Sequence, residues 1–130
     1  KDTYDIIFID GLHWSEQVYK DIVNSLNVLN DGGHIICHDM NPHDEFIQRY
    51  PQPKAESEWT GDCWKAWVRL RSERDDLNMR VVDTDYGCGI IKKGNQEKIK
   101  INGELTWELL DSKRKELLNL MTVDEFKQSL

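Results

Sequence analysis

The chain has 130 residues, a formal net charge of −7 and a hydrophobic content of 38%. This length allows one small domain with a single hydrophobic core, and the apolar runs are too short to cross a bilayer. No cluster of Lys and Arg forms a basic stripe, which argues against nucleic-acid binding through a phosphate-neutralising surface. We therefore expect a domain that binds neither nucleic acid nor a membrane and acts on a small molecule.

The start of the chain and its cysteines indicate its context. Lys1 is followed almost at once by a strand-like run, without an initiator Met or a signal-peptide pattern. A natural protein rarely starts at the first residue of a core strand, so we expect a piece of a longer polypeptide. Cys37, Cys63 and Cys88 are widely spaced among apolar residues and fit neither a zinc pattern nor a disulfide framework. We expect reduced, mostly buried thiols in a cytoplasmic protein.

The first forty residues predict a strand, a helix and a second strand. Residues 4–10 are rich in Ile, Phe and Tyr, a run typical of a strand buried on both faces. Between Trp14 and Asn30 the apolar residues follow a helical period, as shown by Val18, Ile22, Leu26 and Leu29. Residues 30–33 (Asn-Asp-Gly-Gly) are expected to end this helix, and residues 34–39 form the second strand. We therefore predict an α/β fold with parallel strands and a right-handed crossover.

The rest of the chain predicts a long loop, a hairpin and further helices. Residues 40–60 hold all three prolines and lack a convincing period, which is typical of a lid or binding loop. A helix then begins with Asp62 as its N-cap and carries Trp64 and Trp67 into the core. Residues 79–85 and 87–93 predict an antiparallel hairpin, with Asp85 and Tyr86 in its turn. A helix from Thr106 to about Met121 follows, and Thr122 and Glu125 predict a capping box for a last short helix.

Polar side chains follow both strands of the first unit: Asp10, Gly11 and His13 after the first, and His38, Asp39 and Asn41 at the end of the second. Ligands of open parallel sheets bind beyond the carboxyl ends of the strands, so we expect the carboxylates and imidazoles to converge. Such a cluster suits either a divalent cation such as Mg²⁺ or Mn²⁺, or general-base catalysis by a histidine. In the alternative interpretation Asp10 caps a turn or the following helix, and His38 is a partly buried strand residue.

These residues resemble the class I S-adenosylmethionine-dependent methyltransferases. The resemblance rests on residues 8–13 (Phe-Ile-Asp-Gly-Leu-His), on the helix with Val18 and Asp21, on residues 30–33, and on His38-Asp39. It is closest to the branch with a D-G-x-H motif after the fourth strand and an H-D or E-D pair after the fifth. Residues 59–65 and 83–89 also resemble segments of bacterial members, so the resemblance covers about residues 4–94.

The resemblance implies a Rossmann-like methyltransferase fold of which only the C-terminal half is present. That half comprises strands four to seven with a terminal antiparallel hairpin, plus a C-terminal helix. The resemblance assigns residues 1–95 to the methyltransferase domain and residues 96–130 to a helical C-terminal extension. The glycine-rich donor loop and the acidic residue that grips the ribose belong to the first two strands, and nothing here matches them. Residues 87–89 (Gly-Cys-Gly) lie inside the hairpin and do not precede a helix, so they are not a donor loop.

The resemblance also implies roles for the site residues. Metal-dependent relatives place a divalent cation on the aspartates matching Asp10 and Asp39, and the histidine matching His13 deprotonates an acceptor hydroxyl. Some of those relatives have Glu where this chain has His38, so His38 is a further candidate ligand and the metal requirement stays open. The donor, S-adenosylmethionine, is expected at Asp10, Gly11 and His13. Candidates for acceptor binding are Trp14, Asn41 and Trp59.

Three functions are compatible with these features. The leading hypothesis is O-methylation of a small hydroxylated acceptor such as a saccharide or metabolite, with the fragment alone inactive. The alternative is a catalytically inactive α/β binding or assembly module, for example one associated with a glycosyltransferase. A nicotinamide-dependent oxidoreductase on the same fold is a weaker third hypothesis. In each case the incomplete sheet would leave an exposed edge through which copies of the chain could form a homo-oligomer.

Overall fold

The computed structural model describes residues 2–55 and 57–130. Within them a five-stranded mixed sheet combines with four α-helices: β1 (Tyr4–Ile9), α1 (Ser15–Leu26), β2 (Leu29–Cys37), α2 (Trp64–Glu73), β3 (Leu77–Val82), β4 (Cys88–Lys93), α3 (Trp107–Leu118), β5 (Leu120–Met121) and α4 (Val123–Gln128). The strand order is β1-β2-β4-β3-β5. β1 and β2 are parallel, whereas β4 is antiparallel to both β2 and β3. This α/β arrangement is compatible with a Rossmann-like fold.

The predicted βαβ unit is confirmed, with one boundary shifted. α1 buries Val18, Ile22 and Leu26, as the helical period requires. The helix ends at Leu26 rather than at Asn30, and Leu29 already pairs with Tyr4 as part of β2. The register between β1 and β2 shifts after this pair, and Gly32 within the shifted stretch has φ +81°. The Asn-Asp-Gly-Gly segment therefore belongs to the irregular start of a strand, not to the end of a helix.

The prediction that β1 is buried on both faces is wrong for this chain. Ile6 is 68% exposed and Phe8 is 62% exposed, whereas Ile9 is buried and Ile7 packs against the core. Successive side chains of a strand point to opposite faces, so one face of β1 lies on the core and the other faces outward. β1 is an edge strand of the sheet. No described element of the chain covers its outer face, which explains the exposure.

The core lies between one face of the sheet and helices α1, α2 and α3. Trp64 and Trp67 are fully buried, as predicted, and Trp67 Nε1 donates a hydrogen bond to the carbonyl oxygen of Leu118 at 3.0 Å. The hairpin of β3 and β4 is also confirmed. Its Gly89 leaves room for Trp67, because a Cβ atom at Gly89 would lie 2.6 Å from the Trp67 ring.

The C-terminal segment adds to the same core and the same sheet. Thr106 caps α3, which buries Leu110, Leu117 and Leu118 and ends three residues before the predicted Met121. Trp107 is partly buried against the core, and β5 pairs in parallel with β3. The predicted capping box at the start of α4 is present. The division of the chain at residues 95 and 96 stays a prediction.

The three cysteines are free, and Cys37 and Cys63 are buried. Burial raises the pKa of both thiols well above the usual range. Such thiols are unreactive at neutral pH. In the two described ranges no helix has the length and apolar character needed to span a membrane.

The contact between Gly89 and Trp67 generates a stability prediction. Gly89→Ala should lower the free energy of unfolding by roughly 1–3 kcal/mol, because the added methyl group overpacks the core against a fixed ring. Urea unfolding followed by tryptophan fluorescence measures this change. Gly11→Ala is the matched control, since a Cβ at Gly11 would meet nothing within 4 Å. Equal effects of the two substitutions would contradict the proposed packing constraint.

Candidate active site at the carboxyl edge of the sheet

The carboxyl ends of β1 and β2 bring Asp10, His13, His38 and Asp39 together. His13 Nε2 lies 3.0 Å from Asp39 Oδ2 and 3.9 Å from Asp10 Oδ1. His38 Nδ1 lies 3.4 Å from Asp10 Oδ1 and 3.3 Å from Asp39 Oδ1. The convergence expected from the strand ends is therefore found, while the roles of the four residues stay predictions.

The cluster lines a cavity of about 260 Å³, together with Glu58, Trp59, Thr60 and Tyr86. The first three of these additional residues belong to the long loop after β2, and Tyr86 belongs to the turn of the β3–β4 hairpin. The loop that the prolines mark therefore forms a wall of the site. No local pattern in the sequence marks Glu58 and Thr60 as site residues, and the hairpin pattern predicts Tyr86 only as a turn residue.

Backbone contacts orient the imidazole of His13. His13 Nδ1 lies 3.0 Å from the carbonyl oxygen of Trp59. Because a carbonyl oxygen only accepts hydrogen bonds, we assign the proton of the neutral ring to Nδ1. His13 Nε2, the other ring nitrogen, faces Asp39 Oδ2 at 3.0 Å, and it donates to this carboxylate when it carries a proton. Metal-binding histidines commonly make this kind of N–H···O=C contact through the nitrogen that does not bind the metal.

Gly61 allows this close approach of the loop to His13. Gly61 has φ +65°, and a Cβ atom there would lie 2.0 Å from the carbonyl oxygen of His13. The loop is held from its other side, since the backbone N–H groups of Thr60 and Gly61 both donate to the carbonyl oxygen of Ile47. A side chain at position 61 would push the loop, and Trp59 with it, away from the imidazole.

Asp62 stabilises α1, not α2. Its Oδ1 accepts a hydrogen bond from the backbone N–H of Ser15 at 2.8 Å, and its Oδ2 lies 3.3 Å from Ser15 Oγ. The N-cap of α2 is Cys63, which makes no side-chain capping bond. The predicted N-cap role of Asp62 is therefore wrong, because its carboxylate binds the start of α1. This contact fixes the start of the helix that directly follows His13.

Asp39 is the buried carboxylate of the cluster. It has φ +67° and is only 4% exposed. Burial raises the pKa of Asp39, and the neighbouring His13 and His38 offset only part of this effect. A carboxylate removed from water requires a compensating positive charge or hydrogen-bond donors. In this structure the two imidazoles occupy the positions from which such compensation comes.

The hairpin turn places two further side chains at the site. The N–H of Gly87 donates to the carbonyl oxygen of Thr84, and Asp85 and Tyr86 between them have φ +46° and +63°, a primed hairpin turn. The turn is hydrogen-bonded to the segment after β2, because the Asn41 N–H donates to the Tyr86 carbonyl oxygen at 2.7 Å. Asp85 Oδ2 lies 3.0 Å from His38 Nε2, and the Tyr86 hydroxyl donates to Glu58.

His38 lies among three carboxylates. Partial burial acts to lower its pKa, but the negative charges of Asp39, Asp10 and Asp85 outweigh this effect, so the pKa of His38 is raised. The positively charged form of His38 is therefore favoured in this position. It provides part of the compensation that the buried carboxylate needs.

Asp10, His13 and Asp39 form a candidate set of metal ligands. One ligand atom from each residue lies within 4.8 Å of the others. Two carboxylates and one imidazole suit Mn²⁺ or Mg²⁺. His38, a predicted ligand, is not part of this set among the described residues, and its Nε2 faces Asp85. His38 Nδ1 nevertheless lies 3.4 Å from Asp10 Oδ1 and 3.3 Å from Asp39 Oδ1, so its role as a metal ligand stays a prediction.

The predicted acceptor-binding residues occupy different positions. Trp59 lines the cavity, with its ring centroid 5.0 Å from that of His13. Trp14 lies outside the lining and stacks on Tyr50, whose ring in turn stacks on Trp59. Asn41 also lies outside it. Its side chain bridges Asp83 and Arg114, which connects α3 to the segment after Asp39. The acceptor-binding roles stay predictions.

Comparison with known proteins adds one finding. Residues 1–40 match a family model described as a methyltransferase domain. The match supports a methyltransferase domain. It spans β1, α1 and β2 and includes all four residues of the Asp/His cluster. Proteins with such a domain are transferases that generally use S-adenosylmethionine. No curated protein and no solved structure matches the chain.

The contact between Gly61 and His13 generates a second stability prediction. Gly61→Ala should lower the free energy of unfolding by about 3 kcal/mol or more, since it adds a backbone clash to the cost of a left-handed alanine. Gly32→Ala is the matched control, because Gly32 has φ +81° but open space around its Cβ position. It should cost only about 1 kcal/mol. Equal losses in urea unfolding would show that φ alone matters.

Proposed function

We propose that the chain is the acceptor-side, C-terminal half of an S-adenosylmethionine-dependent O-methyltransferase with a Rossmann-like fold. Its acceptor is a small hydroxylated molecule such as a saccharide or metabolite. One observation carries the proposal: the segment that matches a methyltransferase domain contains all four residues that converge at the carboxyl edge of the sheet. Ligands of this fold class bind at that edge. The free thiols agree with the proposed cytoplasmic location.

The sheet supports the proposal of a C-terminal half. Its first four strands along the chain comprise a parallel pair followed by an antiparallel hairpin whose last strand, β4, lies beside β2. This agrees with the fourth to seventh strands of the resembled fold, the last of them antiparallel. We assign residues 1–95 to this half and residues 96–130 to an extension packed on it. The exposed outer face of β1 is then the surface on which the other half lies.

The proposed catalysis depends on few groups of this chain. Bound S-adenosylmethionine would supply an electrophilic methyl group on a sulfonium, and we propose that Asp10, Gly11 and His13 contact it from this half. His13, held through Nδ1–H by the Trp59 carbonyl oxygen, accepts the acceptor proton on Nε2. Asp10 and Asp39 orient the acceptor hydroxyl toward the methyl group, so that alignment provides the remaining acceleration. Glu58, Trp59 and Tyr86 enclose the acceptor.

The oxygen and nitrogen atoms of the Asp/His cluster would also fit a divalent cation. Asp10 and Asp39 would hold Mg²⁺ or Mn²⁺, which would lower the pKa of an acceptor hydroxyl as a Lewis acid. Only Nε2 of His13 could bind a cation or accept a proton, because Nδ1 is hydrogen-bonded to the Trp59 carbonyl oxygen. His13 therefore acts either as the base or as the third metal ligand. It cannot do both at once, because both roles use Nε2. This exclusivity makes the role of His13 testable.

Removing the imidazole of His13 should affect turnover far more than donor affinity. In the complete protein, His13→Ala should reduce methyl transfer by roughly 10²–10⁴-fold, the range for loss of a general base. S-adenosylmethionine affinity should change by about two-fold at most, since donor binding rests mainly on the other half. Turnover is measured as S-adenosylhomocysteine release, and donor and Mn²⁺ affinities by calorimetric titration.

Two comparisons separate the possible results. His34→Ala is the matched control, since His34 is a half-buried histidine within β2 that does not line the site cavity. A parallel loss of Mn²⁺ affinity in His13→Ala would assign His13 as a ligand instead of the base. Unchanged turnover would refute both roles. Absence of S-adenosylmethionine binding by the complete protein would favour the alternative of a catalytically inactive binding or assembly module.

We further propose that a strand from outside residues 2–130 covers the edge of β1 in the complete protein. Tyr4, Ile6 and Phe8 are exposed large apolar side chains on this edge strand. Exposed apolar edge strands pair readily with other chains. The 130-residue chain by itself should therefore form a homo-oligomer through β1.

This edge generates a further prediction. Sedimentation velocity should show concentration-dependent association of the 130-residue chain, and Phe8→Lys should weaken it at least about ten-fold, because a charge would be buried in the contact. Monomer stability should change by less than about 0.5 kcal/mol at such an exposed position. Leu12→Lys is the control, since Leu12 is also exposed but lies outside the strands. A chain that stays monomeric at every concentration would contradict the proposal.

A further inference from the structure

A second cavity lies at the opposite edge of the sheet from the Asp/His cluster. Its volume is about 660 Å³, and its lining comes from α2, the start of β3, residues 95–102 and α3. Both β2 and β3 are antiparallel to β4, so β2 and β3 run in the same direction. Asn78, near the start of β3, therefore lies at the edge opposite to Asp39, which follows the end of β2. The two cavities are separate sites.

The lining of this cavity is positively charged, whereas the chain as a whole is negatively charged. Four cationic residues line it, against two acidic residues, Glu97 and Glu116. The cations are Arg71, Lys98, Lys100 and Lys113. The whole chain has a net charge of −7, so a locally positive cavity departs from its average. A concave cationic surface attracts small anions.

Arg71 is a buried cation that forms no salt bridge with the described residues of the chain. It is only 8% exposed, and its Nη1 donates to the uncharged carbonyl oxygens of Glu116 and Leu117. Arg71 Nε has no hydrogen-bond partner in the described part of the chain. Burial lowers the pKa of Arg71. A buried guanidinium is stabilised when an anion pairs with it, preferably a carboxylate or a phosphate.

Two amide oxygens at the same cavity also lack partners. Asn78 Oδ1 and Gln96 Oε1 are buried and accept no hydrogen bond from the described residues. Buried acceptors in native proteins are almost always paired, often with a ligand or an ordered water. Both residues line the cavity, so rotation of either side-chain amide would bring it within reach of a ligand hydroxyl group. The unmatched groups thus comprise a cation and two acceptors.

We propose that this cavity binds a phosphorylated small molecule carrying hydroxyl groups, of about the size of a sugar phosphate. The phosphate pairs with Arg71 and the three lysines, and the hydroxyl groups donate to Asn78 and Gln96. The volume lies within the range of small-molecule sites, roughly 300–1,000 Å³. This inference does not depend on methyl transfer, because it concerns other residues at another edge of the sheet.

Calorimetric titration of the full-length protein with glucose 6-phosphate at low salt tests the proposal. We expect saturable binding of glucose 6-phosphate and weaker binding of inorganic phosphate. Glucose, the control that lacks the phosphate group, should not bind. Lys100→Gln and Lys113→Gln should each weaken binding about five-fold, and Arg71→Lys at least about ten-fold, because lysine lacks the guanidinium fork. Lys20→Gln is the control, since Lys20 is an exposed residue of α1 outside the cavity.

Each contrary result overturns a defined part of the proposal. Absence of saturable glucose 6-phosphate binding, or unchanged binding by both lysine variants, would show that the cavity is not a phosphate site. Equal binding of glucose and glucose 6-phosphate would show that the cavity does not recognise the phosphate group. Arg71 is buried, so if Arg71→Lys fails to fold, the two lysine variants still decide. Methyl transfer measured on the same preparations keeps failure of this site distinguishable from failure of the proposed enzyme.

Discussion

The parallel pairing of β1 and β2 is the constraint on which the candidate active site depends. Ile9 pairs with Cys37 as the last pair of the two strands, and the His38 N–H donates to the carbonyl oxygen of Ile9 at 3.2 Å. The next residues on the two strands are therefore Asp10 and His38–Asp39, which leave the sheet side by side. A shift of one residue in this pairing would turn these side chains to the opposite face and separate them.

The two edges of the sheet carry buried groups of opposite charge. At the carboxyl edge a buried carboxylate, Asp39, is surrounded by imidazoles and further carboxylates, so the edge attracts a cation or a proton. At the other edge the buried guanidinium of Arg71 has no carboxylate partner among the described residues, so that edge attracts an anion. α3 contributes to both edges, since Arg114 bonds to Asn41 near the first site and Lys113 lines the second cavity.

Local sequence patterns were sufficient for most elements and for the composition of the candidate site. The strand of β1, the apolar face of α1, the hairpin and the capping box at Thr122 were predictable, because each depends on residues within a few positions of one another. Asp10 and Asp39 were predictable for a related reason. Strand ends mark the ligand-binding edge of a parallel sheet before any tertiary contact is known.

Tertiary structure alone decided which groups meet and how they are compensated. The bond from Ser15 to Asp62 spans 47 residues, and that from His13 to the Trp59 carbonyl oxygen spans 46. No periodicity encodes such contacts, because they depend on how the long loop packs against α1 and the hairpin. The exposure of Phe8 likewise depends on the outer face of β1, which no described element covers and which an apolar run does not reveal. The sequence by itself thus determined the elements and the chemical groups at their ends, whereas packing over long chain separations decided their partners.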